Sequence, residues 1–237
     1  MKKIFDGKIS VKSVLESDRR NVTQIYMDRE KKNRDFVYIR HLAQKKSIPV
    51  TLCQRRELHE IVGHEKHGGI AAETGARRRC NVSDLKEGPL IYLNGVEDPY
   101  NFGSICRTLY AMGMNQLVTL QRDWKDSESI VQKASAGAYE KMDWIQIETD
   151  RVLIQYCRQH RIPIYCAHRN HAISLKDMDW PENFCLAVGG ALRGLSAEIV
   201  TASEQNVLIP YQNDFRNALD TPGAISIFAY EIQRRKL

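Results

Sequence analysis

Apolar residues in this chain fall into short blocks of two kinds, and the two kinds alternate. Leu90–Leu93, Gln116–Leu120, Ile162–Cys166, Phe184–Val188 and Asn206–Ile209 are nearly continuous apolar runs, the pattern of strands buried on both faces of a parallel sheet. Between them, Ser104–Met112, Val152–His160 and Thr221–Arg235 repeat their apolar residues at helical spacing. Gly113 stands where a helix ends in a left-handed residue, and Pro222 where a helix starts and a missing N–H costs nothing. This alternation predicts a sheet covered by helices. Ahead of it lies a smaller set of elements. Val22–Met27 and Pro49–Leu52 read as strands. Phe36, Val37, Ile39, Arg40, Leu42 and Ala43 read as one helix and Arg55–Val62 as another. His67–Ala72 reads as a turn feeding a last strand. The basic stretch from Gly75 through Arg79 to Gly88-Pro89 breaks the pattern and predicts a linker. The expected organisation is a small α/β unit over 1–75, a basic linker over 76–88 and a larger α/β domain over 89–237.

Composition changes this picture little. Of 237 residues, 43% are hydrophobic and 27% charged, which suits a globular chain long enough to bury a core. The net charge of +6 leans towards a polyanionic partner. Six scattered cysteines form no Cys-x-x-Cys pair, so zinc and redox motifs are not indicated, and the thiols fit a reducing compartment. Asp6 and Lys8 interrupt any apolar stretch behind Met1-Lys2-Lys3, against a signal peptide. No run is long enough to span a bilayer. A cytoplasmic protein with no membrane partner is expected.

Candidate chemistry sits at strand ends. The polar turn after Leu90–Leu93 leads into a helix and brings Asn101 and Arg107 to the carboxyl end of a strand, where open α/β sheets bind ligands. Taken singly, Asn101 reads as a helix N-cap, Asp98-Pro99 as a turn and Arg107 as a solvated residue. Gly189-Gly190-Ala191-Leu192-Arg193-Gly194-Leu195-Ser196 follows another strand. It has the spacing of a phosphate loop, but Leu195 stands where the lysine belongs, and it is not Gly-x-Gly-x-x-Gly. It still lets a ligand approach the backbone closely. Arg77, Arg78 and Arg79 abut the domain junction and are candidate phosphate contacts. His168 and His171 have no evident third ligand, so no metal is expected. No Gly-x-Ser-x-Gly elbow supports a hydrolase.

Together the segments resemble the SpoU/TrmH-type RNA methyltransferases of the SPOUT superfamily. The first is Asp98-Pro99-Tyr100-Asn101-Phe102-Gly103 with Arg107 and Gly113. The second is Val188 through Ser196. The third is Ile209-Pro210-Tyr211 followed by Ala218-Leu219-Asp220 and a terminal helix. The resemblance covers about 88–237. The front part, with Val11–Leu15, Ile48-Pro49-Val50 and His67-Gly68-Gly69-Ile70, resembles the family's ribosomal-protein-like RNA-binding domain. The resemblance implies a parallel-sheet SPOUT domain with a deep trefoil knot, a rare exception to chain topology rules. It also implies a homodimer, S-adenosylmethionine as cofactor, and a 2′-O-methylated ribose in ribosomal or transfer RNA as product. Positions matching cofactor contacts are Gly189, Gly190, Gly194, Leu195, Ile209 and Leu219. Those matching catalytic positions are Arg107, Asn101 and Asp220.

That chemistry needs no metal, because the sulfonium methyl is already electrophilic. It needs the ribose oxygen in line with the methyl at about 3–3.5 Å, and a route for the hydroxyl proton. Free guanidinium is too weak an acid to lose its proton readily at neutral pH, so Arg107 is read as a phosphate anchor and electrostatic aid, with base action only if a neighbouring phosphate takes its proton, and Asn101 orients it or the ribose. The second motif of the family has glutamate where Ala191 stands, and the third has Ser-Leu-Asn or a near variant where Ala218-Leu219-Asp220 stands. Asp220 is expected to restore the carboxylate missing at Ala191. On that reading Asp220→Ala abolishes methylation and Ala191→Glu is tolerated. The alternative is a catalytically silent RNA-binding protein on the same scaffold.

Overall fold

The computed structural model describes residues 2–122, 124, 127–190 and 193–235. These form two compact units. One comprises residues 1–78 with 126–141, the other 79–125 with 142–237. Each unit carries its own sheet.

The smaller unit runs β1 (Lys3–Asp6), α1 (Lys8–Ser17), β2 (Val22–Asp28), α2 (Arg34–Lys45), β3 (Val50–Cys53), α3 (Arg55–Val62) and β4 (Ile70–Thr74). Its strands lie in the order β1-β4-β2-β3, with β2 and β3 parallel and the β4 pairings antiparallel. Phe36, Ile39 and Ala43 of α2 pack into a core with Phe5, Val11, Val14, Leu15, Ile25, Met27 and Ile70. Asn33 starts α2 by accepting the Phe36 amide at 3.1 Å. Gly63, at φ +81°, ends α3.

The larger unit runs β5 (Pro89–Asn94), α4 (Pro99–Ala111) and β6 (Gln116–Leu120). The chain next contributes α5 (Glu128–Ala134) and α6 (Ala138–Lys141) to the smaller unit. The larger unit then resumes with β7 (Asp143–Ile147), α7 (Asp150–Gln159), β8 (Ile164–Ala167), β9 (Ala172–Ser174), β10 (Phe184–Gly189), α8 (Ala197–Ala202), β11 (Gln205–Leu208) and α9 (Thr221–Arg234). Its seven strands run in the order β7-β6-β5-β10-β8-β11-β9 and every pairing is parallel. From β5 the chain adds β6 and β7 on one side, and then adds the remaining strands on the other. The order therefore reverses between β5 and β10, and such a switch point opens a crevice at the carboxyl ends of the two strands. Tyr92, Val118, Ile145, Cys166, Cys185 and Ala187 fill one face of this sheet.

The strand–helix alternation read from the sequence is present, with differences that have local causes. α4 begins at Pro99 rather than Ser104 because Asp98 caps it, accepting the Asn101 amide at 2.7 Å. The sequence pattern did not mark α5, α6 and β7. α5 and α6 are short and hold polar residues inward. Arg20, whose side chain is 0% exposed, donates its Nε to Glu140 at 2.7 Å and also donates to Glu128. Burial disfavours charge on Arg20, but the two carboxylates outweigh it and raise its pKa. Removing one member of such a buried set costs about 3–5 kcal/mol, because the others are left charged and unpaired.

Candidate active site

The crevice at the switch point is built largely from backbone. Gly189 ends β10 and lies in register with Asn94, the last residue of β5. The Gly190 amide donates to the Asn94 carbonyl at 2.6 Å, and the Gly194 amide closes the following turn on the Gly190 carbonyl at 2.9 Å. Side chains are excluded from two positions. A Cβ on Gly189 would sit 2.4 Å from the Gly194 carbonyl carbon, and one on Gly190 would sit 2.3 Å from the Gly95 oxygen. Gly95 and Gly194 themselves adopt φ of +74° and +65°, a region that favours glycine. The glycines of the second motif are thus explained by one loop lying against another.

A buried polar chain ties these loops to the sheet. Tyr92, 0% exposed, donates its hydroxyl to Asp150 at the start of α7. Ser196, which caps α8, donates to the other Asp150 oxygen. Asn94 Nδ2 donates to the Tyr92 oxygen at 3.2 Å. Burial, and next the hydrogen bond to Asp150, push the Tyr92 phenol far above its ordinary pKa, so it stays a donor. Sequence reasoning gave Tyr92, Asn94 and Asp150 no role. The one signal available was a tyrosine inside an apolar strand, whose hydroxyl needs a partner when buried.

The third segment folds back on the same place. The Tyr211 hydroxyl accepts the Leu219 amide at 3.1 Å. Arg169 donates to the carbonyls of Arg216 at 2.7 Å and Asn217 at 2.6 Å, with its guanidinium 4.8 Å from the centre of the Tyr211 ring. Asp220 caps α9 by accepting the Gly223 amide at 2.7 Å. Thr221 Oγ1 then donates to the Gly189 carbonyl at 3.3 Å. Asn94, Gly189, Gly190 and Thr221 therefore join the end of β5, which leads into the first motif, to the second motif and to the helix that follows the third.

The sequence-derived candidates are distributed as follows. Gly189, Gly190 and Gly194 shape the β10 loop, whereas the Leu195 side chain packs against the core. Ile209 and Leu219 are half-buried on the third segment. Ala191 lies outside the described residues, and Ala218 is exposed. Asn101 is not the cap of α4; Asp98 takes that place, and Asn101 stands exposed on the first turn. Arg107 is exposed further along α4, with no ion pair or hydrogen-bond partner among the described residues. α4 packs against α9.

Within the Arg77–Arg79 run, Arg77 departs from its expected role. Arg77 is turned inward: its Nε stands 3.9 Å from Glu140, its guanidinium 5.0 Å from the Tyr139 ring centre, and it donates to the Tyr139 carbonyl at 3.3 Å. A buried carboxylate and a ring already hold it, so it does not offer itself to phosphate. Arg78 donates to the Asp18 carbonyl, and Arg79 is exposed. All six cysteines are buried free thiols. Burial pushes the Cys166 thiol up to about 11, so it is not a nucleophile at neutral pH.

Uncharged peptide groups beside half-buried apolar side chains suit an adenosyl group better than a polyphosphate. The described loop residues bring no lysine where a phosphate loop places one; Leu195 stands there, and the loop's cation, Arg193, is exposed. Comparison with known proteins agrees. A model of the SpoU rRNA methylase family matches residues 88–230, and one for RNA 2′-O ribose methyltransferase substrate binding matches residues 7–79. A 23S rRNA (guanosine-2′-O-)-methyltransferase RlmB of Xanthomonas campestris is 25% identical over 239 residues, covering 98% of this chain and 96% of that protein. The fold is shared with the SpoU methyltransferase AviRb of Streptomyces viridochromogenes, solved in complex with AdoMet. The TM-score is 0.81 at 18% identity, over 99% of this chain and 90% of that one. It is shared equally with an AdoMet-bound rRNA methyltransferase of Sinorhizobium meliloti, at TM-score 0.82 and 16% identity, over 100% and 88%.

Proposed function

The chain belongs to the SpoU rRNA methylase family, and on that premise we propose that it methylates a ribose 2′-oxygen of ribosomal RNA from S-adenosylmethionine. The observation that carries this reading is the junction of the β5 end, the β10 loop and the start of α9 at the switch point, with Arg107 exposed on the adjoining α4 and without an ion pair or hydrogen bond among the described residues. Gly189, Gly190, Gly194, Leu195, Ile209 and Leu219 would hold the cofactor, largely through peptide groups. S-adenosylmethionine supplies the electrophilic methyl. The protein aligns the ribose oxygen with it and stabilises charge as the hydroxyl proton leaves. Arg107 anchors the neighbouring phosphate, and Asn101 orients that contact. The 2′-hydroxyl requirement selects RNA over DNA.

Purified protein incubated with radiolabelled S-adenosylmethionine and ribosomal RNA from cells lacking the gene tests this. Label in alkali-resistant dinucleotides is the expected result. Absence of both label and cofactor binding by calorimetry, with ribosomal RNA still bound, would favour the silent RNA-binding module instead.

The threading of the C-terminal stretch into a trefoil knot belongs to the same proposal. Its support is the close backbone packing of Gly190 on Gly95 and the hydrogen bond from the Thr221 side chain to the Gly189 carbonyl. A homodimer is also proposed. Tyr100 and Tyr110 of α4 and Ile227 and Tyr230 of α9 are all exposed, on two helices that pack together. Exposed apolar residues on adjoining helices mark a protein–protein surface. Tyr230→Glu is expected to shift the mass in sedimentation equilibrium from dimer to monomer. A wild-type protein that sediments as a monomer rejects the dimer.

Asp220 needs a particular substitution, because its cap confounds the obvious one. Asp220→Ala removes a cap worth about 1 kcal/mol whatever the carboxylate does in catalysis. Asp220→Asn keeps an oxygen for the Gly223 amide and removes only the charge. If the carboxylate positions Arg107 or RNA, Asp220→Asn lowers turnover about 10-fold or more, the value of a charged hydrogen bond, with the melting temperature unchanged. Full turnover in Asp220→Asn would leave Asp220 as a helix cap alone.

A further inference from the structure

Cations without carboxylate partners are concentrated where the chain enters α2. Lys31, Lys32 and Arg34 are exposed and form no ion pair among the described residues. Of the acids beside them, Asp35 is already taken by Lys8 at 2.6 Å, and Glu30 stands exposed ahead of Lys31 without an ion pair among the described residues. One turn on, α2 turns two large side chains outward. Val37 is 68% exposed and Tyr38 43%, while Phe36, Ile39 and Ala43 supply the buried face. Lys32, Arg34, Val37, Tyr38 and His41, together with the capping Asn33, line an open groove of about 790 Å³.

Two features of this groove go beyond a solvated basic turn. Its apolar floor is not needed by the core, which is closed by the opposite face of α2. Its ring is also held in place beforehand: the Lys12 ammonium sits 5.0 Å from the Tyr38 ring centre, and the Tyr38 hydroxyl donates to Glu16 at 3.1 Å. A ring fixed in advance loses little freedom when something stacks on it. Cations flanking an exposed fixed ring match a nucleotide, which carries a flat base and an anionic phosphate side by side. An acidic peptide would satisfy the cations but brings no flat surface for the ring.

We infer that the groove at the start of α2 is a contact for single-stranded RNA, with Lys32 and Arg34 on phosphates and Tyr38 against a base. The inference rests on RNA being the substrate, and it takes the place that the inward-turned Arg77 cannot fill. The groove lies within the residues matched by the substrate-binding model.

The test uses the full chain and a mixed-sequence RNA of about 12 nucleotides, within the span that such surfaces cover. Each contact to single-stranded phosphate contributes about 0.7 to the slope of log affinity against log salt, so Lys32→Ala/Arg34→Ala should flatten that slope by about 1.4. Tyr38→Ala should weaken binding about fivefold to a hundredfold at every salt concentration, and Tyr38→Phe should retain it, since stacking needs only the ring. Affinity for S-adenosylmethionine and the melting temperature should not change in any of the three. A wild type that methylates RNA while the variants keep full affinity and slope overturns the groove alone. A wild type that neither binds nor methylates RNA overturns the groove together with the function it serves. Loss of poly-glutamate binding without loss of RNA binding would give the groove to an acidic protein and overturn it too.

Discussion

Arg107→Ala is expected to lower turnover about 10²–10³-fold, the usual cost of removing one preorganised charge-stabilising donor, while leaving the fold intact. The structure makes this separation possible. Arg107 is exposed on α4 and has no ion pair or hydrogen bond among the described residues, and surface substitutions of that kind stay within about 0.5 kcal/mol of neutral. Affinity for S-adenosylmethionine should therefore be unchanged in calorimetry, and the loss should appear in single-turnover methyl transfer. Arg107→Lys distinguishes between roles. Lysine keeps one charge but loses the planar fork, so a phosphate anchor should retain part of the rate and show a raised KM for RNA. A variant at position 107 that methylates at the wild-type rate would remove the guanidinium from the mechanism.

Where the sequence was readable, it was readable for local reasons. The helix Arg55–Val62 was delimited correctly because its stop signal, Gly63, lies in the next residue. β6 was marked to the residue by an apolar run bounded by polar turns. α4 was started late because Asn101 and Gly103 look like turn residues. An Asp-Pro pair is also a cap followed by a first-turn proline, and that signal was present at Asp98-Pro99. The remaining features depend on partners far along the chain. Arg77 reads as one of three solvated arginines until Tyr139, 62 positions away, supplies its carbonyl. Tyr92 reads as a core residue until Asp150, 58 positions away, accepts its hydroxyl. α5 and α6 carry buried Glu128 and Glu140, which in isolation read as surface residues and make sense opposite Arg20, Lys3 and Arg77. Motif spacing located the candidate site because its three segments are short and local. The polar chain that fixes those segments was not legible, because three-dimensional pairing alone creates it.

Gly190→Ala tests that fixing directly. The new methyl would lie 2.3 Å from the Gly95 oxygen and 2.7 Å from the Gly95 carbonyl carbon. Both are backbone atoms, and Gly95 is held at φ +74°, so neither loop can yield as a side chain would. Overpacking of this kind costs about 1–3 kcal/mol, equivalent to roughly 2–12 °C in melting temperature for a chain of this size. The loops must separate to admit the methyl, which breaks the 2.6 Å bond from the Gly190 amide to the Asn94 carbonyl. Cofactor affinity should then fall further than stability, beyond detection in calorimetry. Gly194→Ala is the matched control. It meets nothing within 4 Å, and its only penalty is a left-handed backbone at φ +65°, about 1–2 kcal/mol. If close contact between the loops shapes the cofactor crevice, Gly190→Ala loses binding at a temperature where it remains folded, and Gly194→Ala keeps a measurable fraction. Equal cofactor affinity in Gly190→Ala and wild type would mean that the crevice forms without that contact.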